Sequence, residues 1–185
     1  MEALITSTIS VAIAEIGDKT QLLALILAAR FKNKTAIIIG MLIATLFNHF
    51  IAAWLGEWLM GFINPTTIKY LVAAALFSLA LWMLIPDKID KKESPLYALG
   101  PFLATFCLFF LAEIGDKTQV ATMVLAAKYQ NLFLVVAGST LGMMIANVPM
   151  VFLAHFSADK LPMLWIHRLC AMLFVLQGIA TLLWP

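Results

Sequence analysis

The sequence predicts an all-α polytopic membrane protein: six transmembrane helices in two inverted three-helix repeats, with the motif helices, one and four, meeting at the bilayer midplane. Three observations carry that expectation. Apolar residues fill the chain from end to end, polar breaks divide it into six long runs, and one octapeptide occurs twice.

Of the 185 residues, 63% are hydrophobic and 12% charged, with a mean hydropathy of +0.99, against roughly 45–50% and about 25% in soluble domains. A water-soluble fold is excluded, because so much apolar surface needs lipid to cover it. A β-barrel would show alternating segments of about 10 residues, whereas these runs are apolar on all sides, as lipid-buried helices are. The first run is expected to stay in the protein: Glu2 precedes it, no basic region leads it, and Glu15 and Asp18 interrupt it, unlike a cleaved leader.

Breaks rich in Pro, Asn, Ser or charge fall at 30–34, 64–67, 86–95, 128–131 and 157–162. They leave spans at about 3–29, 36–61, 68–85, 97–127, 132–154 and 164–184. The first repeat then covers 1–86 and the second 96–185. Between them, residues 87–95 form a polar linker with Asp87, Lys88, Asp90, Lys91, Lys92 and Glu93. Glu57 and Asp159 lie close to span ends, where water or headgroups can solvate them. Trp54, Trp58, Trp82, Trp165 and Trp184 also sit mostly near ends, as an interfacial belt would have them.

Loop charge sets the orientation. Odd connections hold Arg30, Lys32, Lys34, Lys88, Lys91, Lys92, Lys160 and Arg168, and even ones hold Lys69 and Lys128. The positive-inside bias puts the odd connections, the linker among them, in the cytoplasm and both termini outside it.

The repeat is read from AEIGDKTQ at 14–21 and again, letter for letter, at 112–119, an offset of 98. The register continues, with Leu27–Phe31 facing Leu125–Tyr129 and Gly40 facing Gly138. Three spans per copy, an odd number, mean that the second copy enters the membrane from the opposite side. The motifs of such inverted repeats meet near mid-bilayer, where transporters of this design hold substrate.

Each motif places charges in the middle of a span, where each costs about 2.5–3.5 kcal/mol by insertion scales. On a helix, Glu15 and Asp18 share a face, as do Glu113 and Asp116, with Gln21 and Gln119 three positions on. These six residues are the candidate metal ligands. Gly17 and Gly115 allow close backbone approach, a local unwinding, or both. Thr20, Thr118, Asn48 and Asn147 could add neutral oxygens, and Lys19 and Lys117 are candidates to pair with the acids at i, i+4 and i, i+1 as structural salt bridges. Four acids against two lysines leave two negative charges, which call for a dication or protons.

An oxygen ligand set suits hard cations such as Mn²⁺, Ca²⁺ or Mg²⁺ and leaves Mn²⁺ and Ca²⁺ inseparable. The metal is then transported substrate, and no prosthetic group is expected. Cys107 and Cys170 stand alone in apolar runs, and the 10 methionines form no stripe, so copper and structural zinc are disfavoured. His49 reads as a packed or interfacial histidine, although near the ligands it would favour Mn²⁺. His155 and His167 sit near loop ends. No basic stripe points to nucleic acid. The chain has no His-Glu-x-x-His pair or nucleophile elbow, so an enzyme is not expected. A homo-oligomer is compatible with these features.

The strings Glu15–Thr20 and Glu113–Thr118 resemble the duplicated Glu-x-Gly-Asp-Lys/Arg-Thr/Ser signature of the GDT family of cation/proton exchangers. The similarity extends to chain size, six spans and the charged central link, and the short bacterial form is similar to the MneA-type manganese exporters. The resemblance implies exchange of Mn²⁺ or Ca²⁺ for protons, with the acids of both motifs binding the ion and accepting protons. A uniporter or channel with the same ligands remains the alternative within transport.

Overall fold

A computed structural model of the protein describes residues 1–85, 94–153 and 163–183. The chain is all-helical over these residues, as expected. Its elements are α1 (Glu2–Glu15), α2 (Lys19–Arg30), α3 (Lys34–Met60), α4 (Pro65–Met83), a short 3-10 helix (Pro95–Leu99), α5 (Gly100–Glu113), α6 (Lys117–Tyr129), α7 (Leu132–Phe152) and α8 (Met163–Leu183). Most of the expected linker over 87–95 lies outside the described residues, as do His155, Asp159, Lys160 and Trp184.

The duplication runs through the whole architecture. α5, α6, α7 and α8 begin 98 residues after α1, α2, α3 and α4 respectively. Asn33 caps α3 by accepting from Ala36 N, and Asn131 caps α7 by accepting from Leu134 N, both at 3.1 Å, so one of the orphan donors at each helix start is satisfied in the same way. The halves interleave. α1 packs on α7 of the other half, and α5 packs in the corresponding way on α3. Small residues make both crossings possible: a methyl group on Gly40 would come within 2.8 Å of Phe102 O and against Thr105, and one on Gly138 would collide with Leu4 O and Ser7.

The stretches 3–29 and 97–127, each expected as a single helix, are each broken into helices in series, which corrects that expectation. At about 1.5 Å per residue, the 14 residues of α1 reach roughly 21 Å, short of a hydrocarbon core of about 30 Å. Among the described residues, four helices are long and apolar enough to cross a membrane: Lys34–Leu59, Thr66–Met83, Pro95–Glu113 and Leu132–Phe152. α8 carries a shorter apolar stretch, Ala171–Leu183. The protein is therefore a helical membrane protein.

Two apolar clusters flank the motifs. One joins Ala14, α4, α6 and α8 around Leu76, Ala121 and Phe174, and the other joins α2, α3, α5 and α7 around Leu27, Met41 and Phe109. Together they flank the helix ends that carry the buried Glu15 and Glu113.

Candidate metal centre

Each octapeptide is the junction between two helices, and the two junctions share one backbone. Ile16 and Ile114 leave their helices at φ/ψ of −63/114° and −62/120°, the glycines follow at φ 84° and 73°, and Asp18 and Asp116 restart the chain at −78/168° and −80/165°. A left-handed φ costs an L side chain about 1–2 kcal/mol, so glycine is what lets one helix end and the next begin within three residues. Of the two roles expected for Gly17 and Gly115, the structure adopts the unwinding.

Glutamine closes each junction. Gly17 N–H donates to Gln21 Oε1 and Gly115 N–H to Gln119 Oε1, both at 2.7 Å. The two amide oxygens, expected among the ligands, thus each hold a backbone donor at the bend. Gln21 Nε2 also donates to Ala146 O of α7 at 3.0 Å.

The break brings the acids together. Glu15 and Glu113 end α1 and α5, whereas Asp18 and Asp116 stand at the N-caps of α2 and α6, where the helix macrodipole favours negative charge. Neither aspartate makes the usual side-chain capping bond to its own helix. One carboxylate oxygen from each of the four lies within 4.8 Å of the others, and all four residues are buried.

Neutral donors hold the glutamates. Thr20 Oγ1 donates to Glu15 Oε2 at 2.6 Å, and Asn147 Nδ2 reaches the same oxygen at 3.3 Å. Thr118 Oγ1 lies 3.0 Å from Glu113 Oε2 and 3.4 Å from Asp116 Oδ2. Glu15 Oε1 and Glu113 Oε1 are buried without a hydrogen-bond partner among the described residues. Asn48, expected to offer an oxygen, donates its Nδ2 to Phe110 O at 3.1 Å, while its Oδ1 is buried and unpartnered among the described residues.

The lysines, weighed as candidates to pair with the acids of their own motif, make contacts outside it. Lys19 Nζ crosses to Asp116 Oδ1 of the other half at 2.6 Å, and Lys117 Nζ donates to Ile85 O at 2.7 Å. The helix break is the reason: Glu15 and Lys19 lie on different helices, so the i, i+4 geometry no longer joins them. Glu57, expected to be solvated, is also more specific than that, because its Oε1 accepts from Leu132 N at 2.9 Å and supports the start of α7. Trp54 and Trp58 are exposed and line a surface cleft of about 400 Å³ away from the acids. Cys107 is a half-buried free thiol.

The profile of the family described as "Divalent cation/proton antiporter GDT1" matches residues 3–91 and 101–184, taking in both junctions. The chain belongs to the GDT1 family. GDT1 relatives include a Vibrio cholerae protein named "Putative manganese exporter", 48% identical over 182 residues that cover 98% of this chain and 90% of that one. A GDT1-like protein of Synechocystis is 26% identical over 92% of both chains. Another, from Arabidopsis thaliana, is 27% identical over 94% of this chain and 92% of its own length. No solved structure matches the chain. As a GDT1 member the chain is a membrane transport protein whose family handles divalent cations and protons.

Proposed function

We propose that this GDT1 protein exports Mn²⁺ from the cytoplasm in exchange for protons, through one site built from both motifs. The observation that carries this reading is the convergence of Glu15, Asp18, Glu113 and Asp116 within 4.8 Å in the interior. Each half supplies a glutamate at the end of one helix and an aspartate at the start of the next, the arrangement in which broken helices hold ions. The buried oxygens Glu15 Oε1 and Glu113 Oε1 are costly without a partner, and a dication between the halves would satisfy both. The Vibrio cholerae relative's name favours Mn²⁺, and a Ca²⁺/proton exchanger is the reading to test against it. An enzyme finds no support beside a transport family.

In the proposed arrangement six spans cross a bacterial inner membrane, α1 with α2 and α5 with α6 each completing one span. The repeats are inverted, the 87–95 linker is cytoplasmic and both termini are periplasmic. Gln21 and Gln119 hold the bends and can lend their remaining lone pairs to the ion. Gly17, Gly115, Lys19, Lys117, Thr20, Thr118, Asn48 and Asn147 support the acids.

The test is flux in proteoliposomes. Mn²⁺ entry that drives protons the other way supports exchange, and Mn²⁺ movement without protons would replace it by a uniporter. Faster Ca²⁺ than Mn²⁺ exchange would make calcium the cargo. Loop cysteines near Lys32 should label from the cytoplasm and ones near Thr66 and Gln130 from outside; the reverse pattern overturns the orientation.

A further inference from the structure

At a buried position beside the site the two halves differ in a way that bears on metal binding. α3 and α7 run without interruption from Asn33 and Asn131, which are 98 residues apart, to beyond the level of the acids. The same offset relates their helix crossings, since Gly40 meets Phe102 and Thr105 where Gly138 meets Leu4 and Ser7. Asn147, whose Nδ2 reaches Glu15 Oε2, therefore has His49 as its counterpart, and the counterpart of Glu15 is Glu113. His49 is fully buried, and neither ring nitrogen has a hydrogen-bond partner among the described residues. Glu113 Oε1 is buried and unpartnered in the same sense. A packed imidazole with two unsatisfied nitrogens is a costly filler where leucine would serve.

We propose that His49 is a specificity-determining residue of the site, lending an imidazole nitrogen to the bound ion on the Glu113 side, where the other half offers only the carboxamide of Asn147. The inference rests on the proposed function above. His49 stands outside the group of carboxylates that share the 4.8 Å radius, so it completes the ligand set when an ion draws the two halves together. Carboxylates alone hold Ca²⁺, Mg²⁺ and Mn²⁺ on similar terms, and an imidazole nitrogen shifts preference toward transition-metal ions. The site is thus hard on the first-motif side and mixed on the second, which separates Mn²⁺ from Ca²⁺ without a sulfur ligand.

His49→Asn copies the other half and keeps a hydrogen-bond donor. The Mn²⁺ over Ca²⁺ transport ratio should fall roughly tenfold in this variant while Ca²⁺ flux persists. The reciprocal Asn147→His should raise the ratio, which keeps the test open if His49→Asn does not fold. Pulsed electron paramagnetic resonance of Mn²⁺ bound to the purified wild type should show coupling to a ¹⁴N nucleus that disappears in His49→Asn. Wild-type Mn²⁺ without nitrogen coupling, or a parallel fall of Mn²⁺ and Ca²⁺ flux with the ratio unchanged, would overturn this inference and leave the proposed function standing. Failure of the wild type to bind or move Mn²⁺ at all would overturn the proposed function itself.

Discussion

The two junctions are identical over eight residues and almost identical in backbone, yet they live in different surroundings. Glu15 receives donors from Thr20 and Asn147, whereas the hydroxyl of Thr118 is divided between Glu113 and Asp116. Gln21 is buried and tied to α7 through Ala146 O, while Gln119 is half-buried and its neighbour Ile114 is 54% exposed. Lys19 is 27% exposed and bridges the halves, and Lys117 is 3% exposed against Ile85 O. The difference separates two levels of cause. Local sequence determines the bend, because positive φ and the glutamine closure need only the octapeptide. The environment comes from the other half, where the residues of α3 and α7 have diverged and α4 and α8 pack differently: α4 lies on α6, but α8 lies on α1.

A single shared site makes the junctions equal in one respect, and that equality gives the largest expected effect. Glu15→Gln, Asp18→Asn, Glu113→Gln and Asp116→Asn should each reduce Mn²⁺ transport to background, with membrane levels of protein unchanged. Since all four acids crowd within 4.8 Å, neutralising either half disables the same site. If variants of the first motif retained roughly half of the flux, the halves would be working separately.

The lysines should break the equality. Lys19→Met removes the ion pair that ties α2 to Asp116. Losing a buried pair can cost about 3–5 kcal/mol, and partial exposure of Lys19 lowers that toward about 1–2 kcal/mol, or roughly a tenfold change in apparent Mn²⁺ affinity. Lys117→Met removes a bond to Ile85 O at the end of α4 and should lower thermal stability, read by unfolding of the purified protein. An unchanged apparent Mn²⁺ affinity of Lys19→Met in concentration-dependent flux assays would show that the cross-half pair does not shape the site.

Much of this was legible in the sequence, and the remainder has a physical reason for its absence. Composition and polar breaks located α3, α4, α7 and α8 to within three residues, because long apolar runs have few other solutions. The exact repeat exposed the four acids and suggested unwinding at the glycines. What it did not reveal was that unwinding had to win, and with it the cross-half ion pair and the glutamine closure. Those depend on which groups lie across the interface, and an i, i+4 pattern read along one helix contains no such information. Asn48 and Asn147 both read as neutral oxygen donors, while the offset of 98 pairs Asn147 with His49. Carrying the register of the octapeptide along α3 and α7 would have found this.

Threonine substitutions sharpen the comparison at smaller scale. A hydrogen bond to a charged group contributes about 1.5–3 kcal/mol. Thr20→Val leaves Glu15 with Asn147, so the loss is partly covered, whereas Thr118→Val removes a hydroxyl that serves two acids. The second variant should weaken Mn²⁺ transport several-fold more than the first. Identical losses would mean that Asn147 contributes nothing to Glu15, and Asn147→Ala should then be silent.

The smallest expected effect is that of voltage, and it depends on both lysines. Glu15, Asp18, Glu113 and Asp116 sum to −4, Lys19 and Lys117 add +2, and the site carries −2. One dication neutralises it, and two protons do the same once the metal has left, so each half-cycle carries a neutral site across the low-dielectric interior. The unequal burial of the lysines is where this can fail. Lys117 is 3% exposed and held at Ile85 O, but Lys19 is 27% exposed and its long side chain could reach water as the halves separate, which would leave −3 and require a third proton. Flux of Mn²⁺ in proteoliposomes, followed at a fixed pH gradient while a potassium diffusion potential is varied, decides between them. Rates that stay constant across about 100 mV, over which one net charge would gain about 2.3 kcal/mol, support two protons per ion. A steep voltage dependence in the wild type that Lys19→Met, with its site fixed at −3, shares would show that Lys19 leaves the site during the cycle and that the two junctions are unequal in charge as well as in surroundings.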